Sequence, residues 1–165
     1  MLMDKTESKT ITNFKRMRRF TTLFYLFLFK LLPAQTPEDA VNGFFEAFHN
    51  KDSILLQSYF HPKATLQSTG VDGAGKTYLR SLSVDRFITA VSTRPDQPVW
   101  REVLGKMEVQ IDFPLAVVWV PYTFYLDDKT LHSGVNCFQW LNESGSWQLI
   151  HLIDTRHPKP AKKSK

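Results

Sequence analysis

Between residues 100 and 155 the chain has no room for a helix between one strand and the next, and this narrows the possible folds more than any other feature. Val103, Gly105, Met107, Val109 and Ile111 alternate with Glu102, Lys106, Glu108, Gln110 and Asp112, the two-residue period of a sheet with one wetted face. Residues 115–126 are β-branched and aromatic without alternation, which predicts a strand covered on both faces. The turn Asp127-Asp128-Lys129 leads to a strand over 134–141, and Asn142-Glu143-Ser144-Gly145-Ser146 forms a hairpin loop into a strand over 147–155. Parallel neighbours need a crossover of a dozen residues or more, so short turns in succession predict an antiparallel meander.

The front half has the other periodicity. Thr36-Pro37-Glu38-Asp39 is a helix start, with a threonine cap, proline in the first turn and two carboxylates at the positive helix end. Val41, Phe44, Phe45 and Phe48 then recur at three- and four-residue steps, which turns an aromatic stripe toward a core. A second, short helix is predicted from Asp52, with Ile54, Leu55, Tyr59 and Phe60 inward and His61-Pro62 ending it. Ser83 caps a third over 84–91, with Phe87, Ile88 and Val91 inward. Helices followed by a meander make an α+β chain.

The net charge of +5 over 165 residues is a property of the two ends. Residues 1–34 hold seven basic side chains against two acidic ones, whereas residues 35–155 hold nine against fourteen, a net of −5. A body of that sign cannot release counterions from a nucleic acid, so no nucleic-acid partner is expected. Lys15, Arg16, Arg18 and Arg19, the apolar run 20–32 and Pro33-Ala34-Gln35 have the order of an export signal. The run is shorter than a membrane span and is broken by Lys30. Residues 1–34 are therefore expected to be a signal peptide, residues 35–156 one exported domain with no membrane association after cleavage, and residues 157–165 a disordered basic tail. Cys137 is the sole cysteine, so the fold must hold without an internal disulfide.

The segments 40–48, Tyr59-Phe60-His61-Pro62-Lys63-Ala64, 116–124, 132–136 and Trp147-Gln148-Leu149 together resemble, in order and spacing, the nuclear transport factor 2-like superfamily. That superfamily includes ketosteroid isomerases, polyketide cyclases and scytalone dehydratases. The resemblance implies a cone-like curved antiparallel sheet wrapped around three N-terminal helices, an apolar cavity at the open end, and often a homodimer formed through the sheet.

One motif points elsewhere. Gly70-Val71-Asp72-Gly73-Ala74-Gly75-Lys76-Thr77 fits the phosphate-loop pattern, but residues 78–83 carry no helical stripe and the later strands lack crossover helices, so a glycine-rich hairpin turn is the better reading.

Within such a cone the polar candidates are Tyr59, His61, Tyr122, His132, Asn136, His151, Asp154 and Arg156. His132 and Asn136 share strand parity and leave one face, and His151 interrupts an apolar run on the neighbouring strand, whereas alternation sends Asp154 to the face opposite His151. The expected pocket lining is Phe44, Phe48, Tyr59, Trp119, Tyr122, His132, Asn136 and His151. No catalytic residue of the superfamily can be carried over by position, and the histidine spacings form no metal motif. The reading is a domain that binds a small apolar or amphiphilic molecule without cofactor or metal. The alternatives are an isomerase, dehydratase or cyclase on a small hydrophobic substrate, and a dimeric interaction module.

Overall fold

The computed structural model describes residues 35–158, and the expected signal peptide and most of the basic tail lie outside that range. Helix α1 (Pro37–His49) opens with a reciprocal capping box. Thr36 Oγ1 accepts from the Asp39 N–H at 3.1 Å, and Asp39 Oδ2 accepts from the Thr36 N–H at 3.0 Å. Its aromatic stripe packs into the core, with Phe44 stacked on Phe87 at 6.1 Å and edge-on to Phe138 at 5.7 Å.

Helix α2 (Ser53–Ser58) is shorter than predicted. Only Leu56 is buried in it, while Ile54 and Leu55 are exposed, because a six-residue helix has one narrow inward stripe. Phe60, His61 and Pro62 already belong to strand β1 (Phe60–Val71), so the residues before the proline are extended rather than helical. Strand β2 (Thr77–Leu82) returns as a hairpin whose turn is organised by Asp72, with Oδ1 accepting from the N–H groups of Ala74 and Lys76 at 2.9 Å each. The glycine-rich motif therefore sits between two strands, not before a helix.

Helix α3 (Val84–Ser92) precedes β3 (Trp100–Leu104), β4 (Glu108–Asp112), β5 (Leu115–Leu126), β6 (Lys129–Glu143) and β7 (Ser146–Pro158). The seven strands form one sheet in the order β2-β1-β7-β6-β5-β3, with β4 also on β5. The predicted meander β5-β6-β7 is antiparallel throughout. The sheet as a whole is mixed, because β1 runs parallel to β7. All the chain between these two strands serves as the crossover that a parallel pair requires. Strand β7 also continues through His157 and Pro158, two residues into the expected tail, pairing with Ser133 and His132.

Among strands β3 to β7, three irregularities break the simple alternation. Leu104 pairs with Tyr122 and Glu108 with Trp119, so three residues on one strand face two on the other. Pro121 in that gap has no N–H to donate, and its carbonyl accepts instead from Gly105. Between β5 and β6, Phe124 pairs with His132 but Tyr125 with Thr130, which leaves Leu131 extra. Between β6 and β7, Trp140 pairs with Leu149 but Gln139 with His151, which leaves Ile150 extra. Each extra residue exchanges the inner and outer faces beyond it.

Candidate functional site

A cavity of about 400 Å³ lies between the inner face of the sheet and helices α1 and α3. Its apolar wall comes from Phe44, Phe45 and Phe48 of α1, Phe87 and Val91 of α3, and Trp100 and Phe124 of the sheet. The helical stripe positions the first three, since a 3.6-residue period brings positions 44 and 48 to one side.

The polar residues gather in two linked groups. Glu102 and Asn136 face each other across the inner surface, with Asn136 Nδ2 donating to Glu102 Oε1 at 2.7 Å. The Glu102 N–H is held by His49 Nε2 at 3.0 Å, which fixes the strand against the end of α1. Asp154 is the hub of the second group. Arg156 Nε donates to its Oδ2 at 2.7 Å, and Ser68 Oγ donates to its Oδ1. Tyr122 Oη lies 2.9 Å from Asp154 Oδ2 and 3.0 Å from the Thr155 carbonyl, so its one proton is shared between two acceptors. The His132 ring stacks on Phe124 at 5.1 Å and meets the Tyr122 ring edge-on at 5.7 Å.

Burial sets the protonation states. Glu102 is partly accessible, opening onto the cavity, and its pKa is pushed up to about 7. Desolvation is the main cause and the Asp154 charge adds to it, while the Asn136 hydrogen bond and Arg156 oppose. Tyr122 is held neutral by burial and then by the negative Asp154, which makes it a hydrogen-bond donor at any ordinary pH. His132 is shifted down by burial and by the Arg156 charge, so it is a neutral ring near pH 7.

Of the eight residues expected at the pocket, Phe44, Phe48, Tyr122, His132 and Asn136 line the cavity. Three do not. Trp119 stands on the outer face and is 47% exposed, because β5 alternates strictly and puts Ala116, Val118, Val120, Tyr122 and Phe124 inward. The apparent lack of alternation in its sequence arises because both faces are apolar. Tyr59, at the end of α2, turns its ring toward Phe44 and Trp140 and its hydroxyl against Gly43, away from the cavity. His151 faces out with its Nδ1 2.7 Å from Thr65 Oγ1, since the extra residue Ile150 reverses the face of every residue after Leu149. The same reversal brings Leu152, Asp154 and Arg156 inward.

Glu102 lines the cavity although it is not among the eight residues expected there. Alternation assigned it to the wetted face with Glu108 and Gln110, but the three-against-two irregularity at Gly105 gives β3 the parity opposite to β4. The available signal was Pro121, which cannot donate to a neighbouring strand and marks where the pairing must slip. Among the described residues, no group of three or more His, Cys, Asp or Glu is arranged to hold a metal ion.

No protein-family model and no curated protein matches the chain. Solved structures do. An NTF2-like protein from Cytophaga hutchinsonii is 20% identical, with a TM-score of 0.56 over 72% of this chain and 93% of that one. An NTF2-like protein of unknown function from Shewanella baltica is 17% identical, with a TM-score of 0.54 over 73% and 90%. The CaMKII hub of S. rosetta is 15% identical, with a TM-score of 0.59 over 76% and 98%. Likeness at these identities shows the fold.

Proposed function

We propose, from the nuclear transport factor 2-like fold that residues 35–158 adopt, that the cone takes up a small, mostly apolar molecule and orients its one polar group against Glu102, Asn136 and Tyr122. The observation that carries this is the division of the cavity wall. Apolar side chains make up most of it, and hydrogen-bonding groups held by partners of their own are set among them. A residual core space would be lined by apolar side chains throughout.

A panel of steroids, fatty acids and polyketides tests the proposal by thermal shift. A member that fits should raise Tm saturably, and Ala90→Trp, which places a ring in the cavity from α3, should abolish the shift. If nothing in the panel stabilises the protein, or the tryptophan variant responds like the wild type, the cavity is not a binding site.

Turnover of the bound molecule by proton transfer is a second reading, favoured by Glu102 alone. A carboxyl group with a pKa of about 7, beside a tyrosine held neutral, can both take and return a proton at working pH. Glu102→Gln separates the two readings: binding persists in either, and only an enzyme loses turnover. We also propose that the outer face of the sheet, where Leu115, Trp119 and Pro121 are exposed, joins two copies of the chain.

A further inference from the structure

The charges around the cavity do not balance. Its charged lining residues are Glu102, Asp154 and Arg156. Arg156 is claimed by Asp154 through a direct ion pair, and the only other ion pair among the described residues, Lys51 with Asp96, lies elsewhere. Glu102 has Asn136 as its single side-chain partner, a neutral one. When Glu102 is ionised the cavity therefore carries one uncompensated negative charge.

The surroundings of Glu102 suit a cation. Phe124 lies directly opposite it in the β3–β5 ladder, Trp100 precedes it by two residues on the same inner face, and Tyr122 lines the same wall. Trp100 and Phe124 meet edge-to-face at 5.9 Å, so the two ring faces point in different directions around one space. Aromatic faces carry negative quadrupole charge and attract ammonium groups, most strongly where water is excluded. Trp100 already meets a cation on another side, since the Arg94 guanidinium lies 5.2 Å from its centroid and 4.9 Å from that of Phe48. Arg94 itself is taken up by the Phe48 and His49 carbonyls at the end of α1 and does not line the cavity.

Resting on the pocket reading above, we propose that the molecule taken up is a cationic amphiphile, an amine on an apolar body, whose charged head sits on Glu102 within the wall of Trp100, Tyr122 and Phe124. The ammonium supplies the positive charge that the cavity lining leaves out. The apolar body lies along Phe44, Phe48 and Phe87.

The other ionisable groups around Glu102 do not offset this: neither Arg94, held by the Phe48 and His49 carbonyls, nor Arg101, exposed and lying over the Tyr125 ring, lines the cavity. His49, on α1, accepts the Glu102 N–H with a ring that burial and the charges of Arg94 and Arg101 keep neutral. His132, on β6, is neutral for similar reasons, Tyr122 is protonated, and Asp154 and Arg156 cancel. Binding a cation should therefore favour the ionised form of Glu102 and release a proton near neutral pH.

Calorimetry on the full chain with three probes of one shape tests this: 3-phenylpropylamine, 3-phenylpropan-1-ol and 3-phenylpropanoate. At about pH 8.5 the amine should bind about tenfold more tightly than the alcohol, with the carboxylate weakest. At about pH 5.5, where Glu102 is protonated, the advantage of the amine should vanish. Near pH 7 the heat of amine binding should vary with the ionisation enthalpy of the buffer, reporting the released proton. Glu102→Gln should bind amine and alcohol alike. Alcohol or carboxylate binding as tightly as the amine at the higher pH overturns the cationic assignment while leaving the apolar pocket standing. Failure of all three to bind overturns both.

Discussion

Glu102 concentrates the chemistry of the site because its charge is set by what surrounds it. With a folded pKa of about 7 against an ordinary value near 4.5, the folded protein holds a proton that the unfolded chain releases. Its contribution is therefore unpenalised below about pH 4.5, is lost progressively as pH rises toward 7, and stays lost above. The full loss is on the order of 3 kcal/mol. His49 and His132 act in the opposite sense, since their depressed pKa values give stability that is present above their ordinary titration and lost as pH falls below it. A raw stability profile mixes these slopes, so the informative quantity is a difference. Glu102→Gln minus wild type, measured by urea unfolding at a series of pH values, should start from a constant at acid pH, rise between about pH 4.5 and 7, and plateau. A difference that does not change with pH would mean that Glu102 titrates normally and that proton exchange near neutral pH is not centred on it.

Among the elements, β6 and β7 hold the Asp154 group in place through a close approach of their backbones. A Cβ built on Gly134 would lie 1.8 Å from the Thr155 carbonyl oxygen, which Tyr122 Oη also reaches. The glycine is needed because backbone occupies the space a side chain would take. Gly134→Ala should cost about 1–3 kcal/mol in a melt followed by circular dichroism, as other small-to-large changes in packed sites do. A loss within experimental error would show that the strands can part without penalty.

The elements also show why part of the site could be read from the sequence and part could not. The threonine cap at Thr36, the stripe of Phe44 and Phe48, and the shared face of His132 and Asn136 depend on spacing within one segment, and each is where the local sequence places it. Glu102, Asp154 and Arg156 line the cavity only because an extra residue at Gly105 or Ile150 reverses the face. The same step turns His151 outward.

For the molecule as a whole, the unbalanced surface is the outer face of the sheet. Trp119 pairs across the ladder with Cys137 and Glu108, and Pro121 with Val135, so a broad apolar band runs over β5 and β6 on the side away from the helices. Apolar area of this kind is commonly covered by a partner. Sedimentation equilibrium should find a dimer at micromolar concentration, and Trp119→Glu should yield a folded monomer with the same circular dichroism spectrum. A wild-type monomer at about 100 μM would refute self-association through this face.

From sequence alone came the α+β class, the caps and stripes of the helices, the hairpin turn at Asp72 and the antiparallel run of the last three strands. Each follows from hydrogen bonds and spacings within a few residues of chain. Tertiary structure decided that β1 lies parallel to β7, that Tyr59 turns from the cavity, and that Glu102 and Asp154 enter it. The reason is common to the two carboxylates. A strand's inward face is settled by its register with a neighbour, and one unpaired residue, stable only because that neighbour is there, exchanges inside for outside.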